Sequence, residues 1–441
     1  MIGRKISQYG IFLKCTGSVV LTCVATVIAS PSQTLTTLLS FDYSNGAYPQ
    51  YMSLVAGSNG DLYGTTYGGG ASSAGTVFEI TPSGALTTVY SFCAQPNCSD
   101  GQAPDWGLVK AASGNFYGTT VEGGVKGYCP ASGCGTVFEI TPSGALTTVY
   151  SFCAQPNCSD GQSPAGTLLW TSSGALYGTT QLGGIISSSC NGSCGTAFSI
   201  SAGGELTTLH SFDGTDGSEP LGGLVQAQDG DLYGTTFNGG ANDNCPTVGC
   251  GTVFKMTTGG AVTTLYSFCS QSNCTDGATP YAGLAQGGDG DFYGTTVAGG
   301  NTTPYWTGGA GTVFKITPAG ELTILHTFTG TDGAAPSAAL VQGSDGNFYG
   351  TTQYGGTNNS CGSGGCGTIF RMTPEGTLTT LYSFCAEGYP CTDGDLPAGG
   401  LVQISDGEFY GSSGGGAHDD GTIFRLIVSL YGCNGRACRV P

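Results

Sequence analysis

The chain is poor in charge and poorest in positive charge: its 441 residues carry 11 Lys and Arg against 29 Asp and Glu. A net charge of −18 excludes the basic surface that nucleic acid or an anionic membrane requires of a partner. Only three histidines are present, which leaves little for a histidine-based metal centre. After residue 30 no apolar run approaches the ~20 residues that cross a bilayer as a helix. No segment there repeats its apolar residues with a helical period, which removes helical and leucine-rich solenoids. Nucleophile elbows, phosphate loops and metal-hydrolase motifs are missing as well.

What is present is repetition. An aromatic residue or leucine followed by Tyr-Gly-Thr-Thr returns at Tyr63, Tyr117, Tyr177, Tyr233, Tyr293 and Tyr349, and as Tyr-Gly-Ser-Ser at Tyr410. The separations are 54, 60, 56, 60, 56 and 61 residues, the period of a repeat architecture. Residues 75–102 and 135–162 are identical, which marks a recent internal duplication. Differences between repeats therefore carry more functional information than the shared phrase.

The N-terminus reads as an export signal over residues 1–29. Arg4, Lys5 and Lys14 precede an apolar stretch from Val19 to Ala29, and Val27 and Ala29 suit cleavage before Ser30. Lipidation of Cys23 is the alternative, against which stands Thr22 before it. Cleavage would leave 8 basic and 29 acidic residues, a charge of −21. The other eighteen cysteines fall in nine close pairs: Cys93/Cys98, Cys129/Cys134, Cys153/Cys158, Cys190/Cys194, Cys245/Cys250, Cys269/Cys274, Cys361/Cys366, Cys385/Cys391 and Cys433/Cys438. Local disulfides in an oxidising compartment account for such pairs. Zinc would need four ligands together, and each pair is expected to stand alone, so no metal is assigned. These features predict a secreted, extracellular protein, monomeric and without a membrane span once its signal is removed.

Within one repeat, runs of about 4 to 7 residues rich in β-branched and aromatic side chains alternate with Gly, Pro, Asp or Asn turns. From Leu340 to Phe384 four such runs follow one another, predicting four antiparallel strands. Seven copies predict an all-β, seven-bladed β-propeller over residues 30–431, with a β-helix as the second choice. Leu35-Thr-Thr-Leu-Leu-Ser-Phe41 matches the fourth strand of every repeat, while the seventh repeat supplies only three strands. The N-terminal strand is therefore expected to complete the last blade and remove its open edge. Residues 432–441 form a C-terminal disulfide tail beyond the ring.

The shared residues are expected to be structural. Tyr-Gly-Thr-Thr faces blade-to-blade packing, with the glycine admitting a neighbouring backbone. His210 and His326 replace a fourth-strand tyrosine. Asp100, Asp160, Asp216, Asp276, Asp332 and Asp393 precede the first strands. They are expected to cap turns, with calcium binding as the alternative.

In a four-strand meander the tight turns share one face. The connections between strands two and three and between blades share the other, where they are long, variable and hold eight of the nine cysteine pairs. Variable loops on a rigid scaffold are where binding concentrates. Candidate ligand residues there are Tyr51, Tyr67, Trp106, Gln181, Phe237, Asn238, Tyr281, Tyr305, Trp306, Gln353 and Tyr354. Their rings and amides suit a glycan or an extracellular protein. For Trp106 loop packing is the expectation, while for Trp306 packing and ligand stacking stand level. Asp105, Glu122 and His418 are the candidates for acid/base work in a carbohydrate-active enzyme.

The unit Leu-Tyr-Gly-Thr-Thr, Gly-Gly, Gly-Thr-Val-Phe, Thr-Pro-Ser-Gly, Leu-Thr-Thr-Leu-Tyr-Ser-Phe resembles the GloVer tandem repeat of exported bacterial proteins, the choice-of-anchor repeat family. The likeness runs from about residue 34 to 428 in seven copies. It implies a secreted or surface repeat protein and brings no activity to any residue. An apolar anchoring tail is not seen after Gly432, which favours release. A binding module is thus the first expectation, with a hydrolase or lyase and a purely structural envelope protein as alternatives.

Overall fold

Thr, Val, Ile and aromatic runs form the strands, and Gly, Asp or Pro ends each one. The computed structural model describes residues 9–14, 24–29 and 33–429, except 126, 130–131, 191, 243–244, 246–248 and 303–304. Tyr9–Lys14 and Val24–Ala29, within the expected export signal, pair with each other as a separate two-stranded sheet. Cys433 and Cys438 lie outside the described residues.

Seven four-stranded antiparallel sheets follow, forming a seven-bladed β-propeller. The first blade orders Val55–Ala56, Leu62–Thr66, Thr76–Ile80 and Leu86–Ser91 from first strand to fourth. The second to sixth blades repeat this over residues 109–151, 162–211, 225–267, 285–327 and 341–383. In the seventh, Val402–Ser405, Glu408–Ser413 and Thr422–Val428 are joined by Gln33–Ser40. Gln33 pairs with Val428 and Ser40 with Thr422, so the start of the chain closes the ring as expected. The only helical turns among the described residues are 3-10 turns such as Pro96–Cys98.

The core repeats with the sequence. A phenylalanine at the end of each fourth strand meets the third-strand phenylalanine of the next blade edge to face, as in Phe268–Phe314 at 5.2 Å. The same contact crosses the closing seam as Phe41–Phe78 at 5.3 Å. Such pairs add about 0.5–1.5 kcal/mol each beyond their burial. Where the next blade offers an aromatic residue, the signature tyrosine lies against it, as Tyr293 does on Phe348 at 3.9 Å. Its hydroxyl donates to a turn carboxylate, Asp289 Oδ2 at 2.9 Å. In four blades the first threonine donates across to the next blade, as Thr235 Oγ1 does to the Ala282 carbonyl at 2.8 Å. The second bonds the third-strand threonine beside it, Thr236 with Thr252 at 2.9 Å.

The signature glycine does something other than expected. It admits a ring rather than a backbone: a Cβ on Gly234 would lie 2.7 Å from Phe254 Cζ, its own blade's third-strand phenylalanine. A further constraint lies between blades. Each blade is entered through an X-Pro step (Tyr48, Ala103, Ser163, Glu219, Thr279, Ala335 and Leu396 before proline) with X in the left-handed region. Proline disfavours the right-handed helical region for the residue before it. The unusual conformation lets both backbone groups of X bond: Thr279 N–H donates to Cys250 O of the previous blade, and Thr279 O accepts from Val297 N–H of its own. The proline ring then fills the space left by a glycine of the previous blade.

Gly251 tests that fit, because a Cβ there would lie 2.6 Å from Pro280 Cδ at φ +87. Gly230 has the same backbone, φ +86, with nothing within 4 Å. Gly230→Ala should cost about 1–2 kcal/mol for the backbone alone. Gly251→Ala should cost about 1–3 kcal/mol more for the displaced proline, read as a larger fall in the urea midpoint.

Candidate functional site

At the loop-rich face the chain enters each first strand close to the ring axis. Four of the seven residues directly after the entry prolines are small or aliphatic: Ala165, Leu221, Ser337 and Ala398. The rest break the pattern. Asp105 and Tyr281 follow Pro104 and Pro280, and Gln50 follows Pro49, with Tyr51 next. Tyr51 and Tyr281 approach to 5.1 Å between ring centroids, and Trp106 lies 6.0 and 6.1 Å from them. Phe237 meets Tyr281 edge to face at 5.9 Å. Four blades thus send aromatic rings to one place over the axis.

Beneath this plug the first strands crowd the axis with small residues. A Cβ on Gly166 would lie 2.5 Å from the Gly223 amide of the next blade. The axial cavity left there, about 200 Å³, has Tyr51 and Trp106 in its lining with Ser53, Thr167 and Ser337. Beside it a second cavity of about 240 Å³ is lined by Asp105, Trp106, Gln181, Glu219, Phe237 and Tyr281, among others. Trp106 is 8% exposed and packs with Ala165 and Leu221. Its indole N–H is buried without an acceptor among the described residues.

The polar groups around the mouth are arranged in a partial network. Glu219, unforeseen from the sequence, accepts from the Asn238 amide at 2.9 Å and the Gln181 amide at 3.2 Å. It stands as a carboxylate among the small or apolar residues of most X-Pro entries, and that contrast was the available signal. Glu122 accepts from the Gln102 amide at 2.5 Å. Gln353 interacts with the Tyr51 hydroxyl. Asp105 has no hydrogen-bond partner among the described residues, and burial without compensation pushes its carboxyl up to about 7. Burial also raises Tyr51, Tyr67 and Tyr281, with the Asp105 charge adding to each. Tyr67, 42% exposed, feels Glu122 as well.

Other candidates lie elsewhere. Trp306 packs on Tyr354 at 5.2 Å, and with the exposed Tyr305 it lines a separate groove of about 490 Å³. His418 is exposed on a seventh-blade loop, where its electrostatic neighbours are Asp42 and Asp420. It does not join Asp105 and Glu122, because its loop runs at the outer seam between the last blade and the chain's start. His210 and His326 bond Asp216 and Asp332 at 2.6 and 2.8 Å. Tyr90, Tyr150, Tyr266 and Tyr382 bond the corresponding aspartates in their blades. These aspartates also accept loop amides, as turn caps do.

Disulfides join Cys93–Cys98, Cys129–Cys134, Cys153–Cys158, Cys190–Cys194, Cys245–Cys250, Cys269–Cys274, Cys361–Cys366 and Cys385–Cys391. The expectation that each pair stands alone is wrong in three blades. In the second, fourth and sixth, the loop between strands two and three returns beside the exit loop of the same blade, bringing their sulfurs together. Among the described residues no helix is long and apolar enough to cross a membrane.

Fold and mouth together define a disulfide-rich repeat propeller with a plugged axis. The chain belongs to the Gloeobacter/Verrucomicrobia repeat family, whose model matches residues 25–129, 94–274 and 245–430. A search of curated proteins returned no match. Among solved structures, the chain is similar to the extracellular domain of a protein described as a hybrid two-component system from B. thetaiotaomicron. The TM-score is 0.53 at 13% identity, covering 90% of this chain and 41% of that one. It is also similar to a fungal alcohol oxidase of the AA5 family in complex with copper, with TM-score 0.51 at 12% identity, covering 87% and 75%. At these identities the likeness is one of fold.

Asp105 gives the mouth a measurable pH signature. Between the ordinary aspartate range and about 7, the folded chain keeps a proton that the unfolded chain has lost. The group therefore weakens the fold as pH rises through that window, by at most about 1.4 kcal/mol per unit. Asp105→Asn should raise the urea midpoint relative to wild type at pH 8 and change it little at pH 4.

Proposed function

We propose that this protein is a secreted binding module whose mouth takes a neutral polar ligand, with a glycan as the best-fitting class. The carrying observation is the convergence of Tyr51, Trp106, Phe237 and Tyr281 from four blades beside amide and carboxylate side chains. Aromatic faces stack on the apolar face of a sugar ring, while Gln181, Glu219 and Asn238 offer groups for its hydroxyls. The unpaired Trp106 N–H and the bare Asp105 carboxyl are groups that a ligand's hydroxyls would satisfy. At about 240 Å³ the cavity is smaller than the ~300–1,000 Å³ of drug-sized sites, which suits one terminal unit rather than a length of chain. Export is supported by the close cysteine pairs and by the signal-like residues 1–29.

A second reading rests on Asp105 alone. A carboxyl with its pKa near 7 is suited to act as a general acid, with Glu122 as the second carboxylate of a glycoside-cleaving pair.

Glycan-array screening followed by calorimetry separates the two readings. Tyr281→Ala should weaken glycan binding at least 10-fold, while Trp306→Ala, in the separate groove, should leave it unchanged. Wild type that binds no glycan, or binding indifferent to Tyr281→Ala, would end the first reading. Release of reducing sugar by wild type and its loss in Asp105→Asn and Glu122→Gln would establish the second.

A further inference from the structure

The cysteine loops are not evenly distributed. The first blade has one pair, Cys93–Cys98, and the third has one, Cys190–Cys194. The second, fourth and sixth blades each have two, one on the loop between strands two and three and one on the exit loop. In the fourth blade the sulfurs of Cys245, Cys250, Cys269 and Cys274 all lie within 4.8 Å of one another. In the sixth blade the same holds for Cys361, Cys366, Cys385 and Cys391, and in the second for Cys129, Cys134 and Cys153. Two loops separated by a whole β-hairpin have been brought to one point by the blade, and the second loop doubles the sulfur count there.

Two disulfides need no such proximity, since each closes its own loop. Four sulfurs around one point are the arrangement of a tetrathiolate metal site. With Zn–S near 2.3 Å, tetrahedral geometry places neighbouring sulfurs about 3.8 Å apart. Cys361 and Cys391, which belong to different disulfides, already lie 3.8 Å apart. The sites are also sheltered. Cys250 and Cys269 are buried in the fourth blade, as are Cys366, Cys385 and Cys391 in the sixth. The Cys361 amide N–H points at Cys366 Sγ at 3.1 Å, the kind of backbone donor that stabilises thiolate charge.

We propose that the paired cysteine loops of the fourth and sixth blades are redox-gated sites for a thiophilic divalent cation such as Zn²⁺. Oxidised, each site holds two disulfides. An external dithiol or phosphine reductant supplies four electrons, and with four protons each site becomes four thiols. A divalent cation then displaces the thiol protons and takes the four sulfurs as ligands. One cross-link between the two loops replaces the two local ones, so the loops stay pinned in either state. In the second blade three sulfurs meet the same criterion, which makes it the weaker site. The lone pairs of the first and third blades are internal controls, because among the described residues no second pair faces them.

The test uses the full chain, reduced with a phosphine and titrated with Co²⁺ and then Zn²⁺ under anaerobic conditions. Wild type should bind at least two ions per chain, with the intense sulfur-to-cobalt charge-transfer absorption of thiolate ligation. Cys250→Ser with Cys269→Ser should remove one ion's worth of that absorption, and Cys93→Ser with Cys98→Ser should remove none. Circular dichroism of the same samples should show the β-sheet signal retained. Reduced wild type that develops no charge-transfer band, whether folded or not, overturns the proposal. So does a band that the fourth-blade substitutions leave intact or that the first-blade substitutions diminish.

Discussion

Everything in this molecule rests on the joint between one blade and the next. A residue in the left-handed region donates its amide to the preceding blade and offers its carbonyl to its own second strand. The following proline seats on a glycine of the preceding blade, where a Cβ would collide with the ring. Around this joint, edge-to-face phenylalanines and stacked tyrosines fill the wedge between sheets. Because the left-handed residue, the proline on its glycine and the phenylalanine pair recur at every seam, the angle between blades is held nearly constant, and seven blades close a circle. Closure needs no special device: Phe41 meets Phe78 with the geometry used at every other joint.

A constant joint sets where variation is free. Side chains between the sheets are committed to packing, so a change there disturbs two blades at once. Residues just after the entry prolines face the axis instead, where only the width of the channel limits them. Four of the seven blades place small or aliphatic residues there. Blades one, two and five place Tyr51, Asp105 with Trp106, and Tyr281, and these close the channel from the loop side. The polar groups of the mouth are thus added to a frame held together elsewhere, and an uncompensated carboxyl such as Asp105 persists there at a cost to stability that the joints outweigh. The same reasoning explains the cysteine loops. They lie on the rim, outside the sheets, where cross-links fasten excursions too long to be held by strand pairing alone.

Much of this was legible from the chain. The repeat of Tyr-Gly-Thr-Thr, the strand-like runs and the stray fourth-strand match near the start were enough for a seven-bladed ring and its closure. The bias of variable residues to one face was legible too, since alternating connections must lie at opposite ends of a meander. Other features were not. The motif glycine was expected to admit a backbone, but its partner is a phenyl ring set by cross-strand register. Glu219 was missed because it precedes a proline whose role emerges only at the joint. Trp306 and His418 were grouped with the mouth by loop position, yet their loops run along the rim and not toward the axis.

By itself the sequence determined the period, the strands within it and the side on which variable residues gather, because these follow from local spacing, turn chemistry and β propensity. Only the tertiary structure decided which residues meet. Distance around a ring is not distance along a chain: Tyr51 and Tyr281 touch across the axis from blades one and five. The sulfurs of two loops separated by a hairpin likewise converge on one point. Those contacts arise from the curvature that seven identical joints impose.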